Sequence, residues 1–173
     1  MQITQSGLNR SVTHITFFTK FGFRVMKKSK LHTMCVEILQ SQINELQSAI
    51  DKVQESVVNE QNSTAGNKFE TARAMGQEEL DRLNRQMSNA QKQMVILSQI
   101  NPDLACETAQ LGAIIKTTKK QMYLSIGLCR VEVDGETYFS ISAISPIGIN
   151  LMGKKEGEMV EFAGRRESIK EIR

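Results

Sequence analysis

The chain has 173 residues, with 22 Lys+Arg against 19 Asp+Glu and a formal net charge of +3, and this length allows one or two domains. It contains no apolar run near the ~18 residues that a membrane-spanning helix needs, and no unbroken apolar stretch of the secretory type. Its three cysteines are widely spaced without a CxxC pair, which argues against a disulfide framework or a zinc site and leads us to expect a cytoplasmic protein with no membrane partner.

The positive charge is concentrated at the start of the chain. Residues 1–36 carry six of the 22 basic residues and none of the 19 acids, so the remainder holds 16 basic and 19 acidic side chains. We expect residues 1–25 to be either a disordered tail or an upstream extension of the reading frame, with Met26 as the natural start. From Met26 onward, basic and acidic residues are equal at 19 each. The composition therefore does not indicate sequence-specific nucleic-acid binding.

The first predicted element is a pair of long helices. Apolar residues recur at intervals of 3 and 4 on both sides of a polar stretch at residues 59–68, which is the a/d pattern of a coiled coil. The arms 29–58 and 69–98 are equal in length, and each would be roughly 45 Å long as a helix. We predict an antiparallel helical hairpin over residues 27–101 with its tip at 59–68; a coiled-coil rod that dimerises is the alternative. The first stripe is Val36, Leu39, Ile43, Leu46, Ile50, Val53 and Val57, and the second is Leu80, Leu83, Met87, Ala90, Met94 and Leu97, extended backwards by Phe69, Arg73 and Gly76.

The second predicted element is a small sheet domain over residues 111–173, which makes the chain α+β. Asp134 and Gly135 form a hairpin-turn signal between two β-branched runs. Ser145 as N-cap, Pro146 at the first helical position and Gly153 at the end predict a short helix. The sheet should be largely antiparallel. Its predicted strands are 112–116, 122–126, 130–133, 137–144, 158–162 and 168–172.

Residues 145–160 resemble the C-terminal signature of the GreA/GreB transcript-cleavage factors. In that family the pattern is Ser-Pro-[Ile/Val]-Gly/Ala, then Leu-[hydrophobic]-Gly-Lys, then Gly-[Asp/Glu]-x-Val. With the hairpin, the resemblance covers residues 27–173. The matching positions are Ser145, Pro146, Gly148, Leu151, Gly153, Lys154, Gly157, Glu158 and Val160.

The resemblance implies both a fold and a partner. The C-terminal domain would be FKBP-like and would dock on RNA polymerase through the signature residues, with the hairpin inserted in the secondary channel. Acidic tip residues would help to hold an Mg²⁺ shared with the polymerase active site, because Mg²⁺ prefers oxygen ligands and can activate water for attack on a phosphodiester. The protein would then be a monomeric, bacterial transcription elongation factor. The protein itself would not be an enzyme and would bind no cofactor of its own, because the polymerase cleaves the RNA.

The tip departs from the family pattern. The family carries Gly-Asp-x-x-Glu-Asn there, and the aligned stretch begins at Gly66. Glu70 matches the acidic position and is the predicted metal contact, whereas Asn67 occupies the Asp position and brings no negative charge. Glu60 is the other acid nearby. Two alternatives stay open beside cleavage stimulation: a Gre-related factor that occupies the channel and modulates or inhibits, and a dimerising coiled-coil scaffold.

Two enzymatic readings find little support in the sequence. Prolyl isomerisation, which an FKBP-like fold suggests, needs an apolar pocket walled by aromatic rings. The domain offers only Tyr123, Tyr138, Phe139 and Phe162 and no Trp. Cys129 lies in a β-rich run, where a single cysteine is more often a small core residue than a nucleophile.

Overall fold

The computed structural model describes the backbone of residues 9–61, 68–162 and 164–173, and their side chains outside 9–26, 59–61, 68–70, 72, 129 and 162. The chain divides into two compact units, Met1–Met34 with Ile100–Arg173 and, separately, Cys35–Gln99. Within the described part of the chain, no helix is long and apolar enough to cross a membrane.

Two long helices come first. Helix α1 spans Asn9–Gln61 and helix α2 spans Lys68–Ser98. The backbone is therefore helical well before residue 29, although a disordered tail is one of our two expectations for residues 1–25. Neither proline of the chain, Pro102 or Pro146, lies in that segment, so nothing there removes a helical hydrogen bond. The assignment of Met26 as the natural start stays a prediction.

The helical hairpin is confirmed. In the Cys35–Gln99 unit, Ile50 of α1 is buried together with Leu83 and Met87 of α2. Every residue of the two predicted stripes is buried or half-buried except Arg73, which is exposed, and Phe69, whose side chain lies outside the described residues. The spacing of apolar residues in the sequence therefore correctly predicts which face of each helix is buried. The half-buried residues packed against the cluster are Ile43, Leu46, Ala49, Val53 and Leu80.

One glycine permits a close approach of the two helices. A Cβ atom built on Gly76 would lie 2.6 Å from Cγ2 of Val57, closer than real carbon contacts. Val57 is β-branched and has little rotamer freedom in a helix, so it could not move aside cheaply. The missing side chain at Gly76 thus leaves space in the α2 stripe, and the Val57 side chain packs into this space.

The Ile100–Arg173 segment contains a six-stranded sheet with the strand order β3-β4-β2-β1-β6-β5. All neighbouring pairs are antiparallel except β2 and β4, which are parallel. The predicted, largely antiparallel sheet is confirmed, and each predicted strand is present within a few residues. The strands are β1 Ile114–Thr117, β2 Gln121–Ser125, β3 Cys129–Val133, β4 Glu136–Ser142, β5 Met159–Phe162 and β6 Arg165–Ile172.

The turn between β3 and β4 has the predicted geometry. Val133 pairs with Glu136, so only Asp134 and Gly135 connect the strands. Their φ angles are 50° and 76°, and two consecutive positive values define a type I′ hairpin turn.

A short helix, α3, spans Pro146–Leu151 between β4 and β5. Its Leu151 is buried in a core that includes Ile115, Leu124 and Ile169 of the sheet. Burying a leucine side chain of this kind contributes about 1.5–3 kcal/mol. This core fixes α3, and with it the signature residues, against the sheet.

Candidate docking site around α3

Ser145 and Pro146 start the α3 helix. The Ser145 backbone is extended, and its Oγ accepts a hydrogen bond from the Gly148 N–H at 3.1 Å. The same hydroxyl donates to the Ser142 carbonyl at 2.7 Å. Pro146 follows at the first helical turn, where its missing N–H has no intrahelical partner to lose. Both residues are explained by the local fold.

Gly148 and Leu151 hold the helix against the sheet. A Cβ atom on Gly148 would collide with the Ser142 carbonyl oxygen and would lie 2.8 Å from the Ala143 Cα. Only glycine therefore fits at this crossing. Leu151, one turn later, is fully buried.

The glycines after α3 make the turns that lead into β5. Gly153 and Gly157 have φ angles of 79° and 87°, which disfavour any residue with a Cβ atom. The Gly153 N–H donates to the Ala109 carbonyl at 2.7 Å, and the Ala109 N–H donates to the Lys154 carbonyl at 2.8 Å. The segment that precedes β1 is thereby pinned to the end of α3.

The signature residues therefore shape the backbone and core of this segment, although Pro146, Gly153 and Gly157 are also exposed. Six of the seven predicted docking residues (Ser145, Pro146, Gly148, Leu151, Gly153 and Gly157) have the backbone or core roles just described, and the seventh, Lys154, is half-buried. The exposed apolar side chains lie between them. Ile144 is 84% exposed, Ile149 is 66% exposed and Met152 is also exposed. We call these three residues the α3 apolar face.

Sequence reasoning missed the α3 apolar face, although a signal for it exists. Ile149 and Met152 are three residues apart, the spacing that places two side chains on one side of a helix. Leu151, between them, points into the core. Two apolar residues on either side of a buried leucine, one in a short helix and one at its C-cap, are the pattern that could have identified the exposed residues.

A small pocket lies between α3 and the sheet. Asn150 Nδ2 donates to the Glu161 carbonyl at 2.8 Å, and buried Glu167 accepts a hydrogen bond from Thr117 Oγ1 at 2.6 Å. The described lining contains no aromatic ring, and Tyr123 and Tyr138 are buried elsewhere in the core. The lining is therefore aliphatic and polar: Lys120, Met122, Ile147, Asn150, Leu151, Val160, Glu161 and Glu167.

A polar cluster joins the Lys27–Met34 part of α1 to the β3–β4 turn. Lys27 Nζ donates to Glu136 Oε1 at 2.9 Å, and Lys30 lies 3.2 Å from the Asp134 carboxylate. The hydrogen bond from Lys27, with a second from Tyr138, lowers the pKa of Glu136 to about 2. Burial and the bond to Glu136 raise the pKa of Tyr138. None of these contacts is predicted by the sequence.

His32 extends the same cluster. Its Nδ1 lies 3.1 Å from the Tyr123 hydroxyl, and partial burial lowers the pKa of the imidazole. A neutral ring is therefore favoured at neutral pH. Together with the lysine contacts, this hydrogen bond fixes the Lys27–Met34 part of α1 on the sheet.

The structure does not describe the side chains of the predicted tip residues. Glu60 belongs to the end of α1 and Glu70 to the start of α2, but their side chains, and all of Asn67, lie outside the described residues. Elsewhere, over the residues whose side chains are described, no group of three or more His, Cys, Asp or Glu could hold a metal ion. The Mg²⁺ contact stays a prediction.

No protein-family model matches the chain, and a search of curated proteins finds no match.

Proposed function

We propose that this protein binds RNA polymerase as a Gre-like factor in transcription elongation. The observation that carries the proposal is the pairing, in one chain, of a long helical hairpin with a sheet domain whose 145–157 segment forms a capped helix and two glycine turns. Six residues of the resemblance have backbone or core roles in that segment. We further propose that the sheet domain is FKBP-like, which the packing of α3 against the sheet supports.

The α3 apolar face is the proposed docking surface. Exposed apolar side chains that lie together on a soluble domain commonly mark protein–protein contacts. Ile149 lies in α3, and Ile144 and Met152 directly flank this helix, which the Ser145 cap and the buried Leu151 fix in place. A rigid presentation lowers the entropic cost of binding. The polymerase partner would supply an apolar surface that covers these three side chains.

The hairpin is the proposed reaching element. Helix α2 has 31 residues, so it extends roughly 45 Å. Glu70 and Glu60 carry carboxylates and Asn67 a side-chain carbonyl, and all three are oxygen donors of the kind that Mg²⁺ accepts. A bound Mg²⁺ would supply Lewis-acid chemistry for RNA hydrolysis in the polymerase active site. Asn67 contributes no negative charge, so we keep two outcomes, cleavage stimulation and channel occupancy without cleavage.

Docking is tested by measuring the affinity for bacterial core RNA polymerase. The variant Ile149→Ser/Met152→Ser should bind roughly tenfold or more weakly, because truncating central apolar anchors commonly costs over 1 kcal/mol each. Leu104→Ser is the matched control, since Leu104 is exposed and apolar but lies outside the α3 apolar face. No binding of the unaltered protein at micromolar concentration would overturn the proposal.

Cleavage is tested separately with RNA in stalled elongation complexes. Stimulation that disappears in Glu70→Ala and increases in Asn67→Asp would support the metal role of the tip. Binding without stimulation, together with interference with a cleavage-active factor, would assign the channel-occupying role instead. Cleavage that is equal in Glu70→Ala and the unaltered protein would contradict the tip assignment.

A further inference from the structure

Cys106 lies in an unusually polar setting for a buried cysteine. Its side chain is 8% exposed. Lys28 Nζ lies 3.3 Å from the sulfur, and Gln110 Nε2 lies 3.5 Å from it. The sulfur itself is 3.8 Å from the Leu104 carbonyl oxygen. A structural cysteine normally packs as a small apolar residue, whereas this one has an amine and an amide directed at it.

Lys28 is the second half of the pair. Only 3% of its surface is exposed, and lysine is rarely buried to this degree. Its Nζ donates to the Leu104 carbonyl at 2.7 Å as well as to the sulfur. These bonds hold the nitrogen against Cys106. The side-chain nitrogen of Lys28 is thus fixed beside the Cys106 sulfur within one compact unit of the chain.

We propose that Cys106 is a peroxide-sensitive modification site at which Lys28 captures the oxidised sulfur as a covalent cross-link. In the first step hydrogen peroxide oxidises the thiol to a sulfenic acid and is itself reduced to water. The sulfur loses two electrons and gains the oxygen. Sulfenic acids condense with nearby nitrogen to form sulfenamides, and the nearest side-chain nitrogen is Lys28 Nζ.

In the second step the nitrogen lone pair attacks the sulfenic sulfur. The N–S bond forms as the S–O bond breaks, and the departing hydroxide takes a proton from the nitrogen and leaves as water. If the amine begins as an ammonium group, it first releases one proton to solvent, because an ammonium nitrogen has no lone pair with which to attack. The product is a neutral Lys28–NH–S–Cys106 link. A thiol reductant attacks the sulfur, frees the lysine and then regenerates the cysteine.

The link would join positions 78 residues apart in the sequence. It would connect α1 covalently to the segment that precedes β1. A cross-link of this span restricts the unfolded chain. The oxidised protein should therefore unfold at a higher temperature than the reduced protein, and the increase should disappear after thiol treatment.

The test treats the full chain with a small excess of hydrogen peroxide and follows intact mass and tryptic peptides. We expect a loss of two hydrogens, a cross-linked peptide that contains Lys28 and Cys106, and loss of tryptic cleavage after Lys28. Dithiothreitol should reverse all three changes. A dimedone adduct on Cys106 without the cross-link, or a bridge that retains the oxygen, would overturn the capture step. Absence of any oxidation at Cys106 would overturn the whole proposal.

Matched variants separate the cross-link from a disulfide and from misfolding. Lys28→Arg should lose the cross-link and accumulate dimedone-reactive Cys106, whereas Lys30→Arg should form it normally. Cys35→Ser should also keep the cross-link, and its loss there would indicate a disulfide and contradict the proposal. Circular dichroism of each variant verifies the fold, and the peptide map of the unaltered protein decides the question independently of all variants.

Discussion

Gly148 is a position at which a single methyl group should disrupt the packing of α3 against the sheet. A Cβ atom added at Gly148 would collide with the Ser142 carbonyl and the Ala143 Cα. These are backbone atoms, which cannot move aside as the end of a flexible side chain can. We expect Gly148→Ala to lower the free energy of unfolding by about 1–3 kcal/mol, the range for overpacking. The measurement is urea denaturation. Gly127→Ala is the control, because a Cβ there meets nothing within 4 Å, and equal effects of the two changes would contradict the steric argument.

Glu136 should make stability depend on acid pH. Its pKa is lowered from 4.5 to about 2, first by the hydrogen bond from Lys27. A lowered folded-state pKa means that the carboxylate contributes stability above pH 4.5, and that this contribution is lost as the pH falls toward about 2. Because the carboxylate is partly exposed, solvent screening reduces its size.

The variant Glu136→Gln should therefore be less stable than the unaltered protein at neutral pH. The difference in urea midpoint should shrink between pH 4.5 and about 2. Glu132→Gln serves as the control, since Glu132 lies on the neighbouring strand β3 in an exposed ion pair with Arg130, and exposed ion pairs contribute little to stability. A difference that stays constant through this pH range would show that the Lys27–Glu136 ion pair does not stabilise the fold.

At the residue level, local features are predictable and distant contacts are not. Ser145, Pro146 and Gly153 signal a capped helix through backbone preferences that act within a few residues. The Lys28–Cys106 contact joins residues far apart in the sequence. Neither residue type carries information about such a partner, because the contact exists only after the sheet has placed both chain segments.

At the scale of elements, the helical hairpin is predictable from the sequence because its heptad pattern is regular and continues over several repeats. A stripe repeated over several heptads specifies both the helix and its contact face. The strands are predictable from short β-branched runs and the Asp134-Gly135 turn. The parallel pairing of β2 with β4 is not predictable in this way. Strand order depends on which surfaces α1 and α3 cover, and no local sequence pattern specifies those surfaces.

Two methionines of α2 test the hairpin contact face. Met87 is buried in the cluster with Ile50 and Leu83, whereas Met75 is exposed on the same helix. Met87→Ala should cost roughly 2–5 kcal/mol of unfolding free energy, the range for removing a buried side chain. Met75→Ala should change it by less than about 0.5 kcal/mol. Thermal and urea denaturation of both variants measure the difference, and similar losses would contradict the assigned face.

At the scale of the whole molecule, the fold bears on which partner the chain has. The two stripes that a dimerising coiled coil would offer to a second chain are already packed against each other within the Cys35–Gln99 unit. The apolar surface that stays exposed on the Ile100–Arg173 segment includes the α3 apolar face, which is small. Small apolar surfaces suit a contact with a different macromolecule better than an obligate homodimer, whose interface is typically large and strongly apolar.

The hairpin therefore predicts a monomer. Light scattering coupled to size-exclusion chromatography should give the mass of one chain at tens of micromolar (~10⁻⁵ M), a concentration at which an interface of even modest affinity would associate. A dimer would favour the scaffold alternative. Leu83→Asp distinguishes two kinds of dimer, because a charge buried in the heptad stripe should dissociate an intermolecular coiled coil but would unfold an intramolecular hairpin without changing the subunit count. A dimer that persists in Leu83→Asp would place the contact between the two chains outside the heptad stripes. The next variant to measure would then be Ile149→Ser/Met152→Ser, which alters the α3 apolar face.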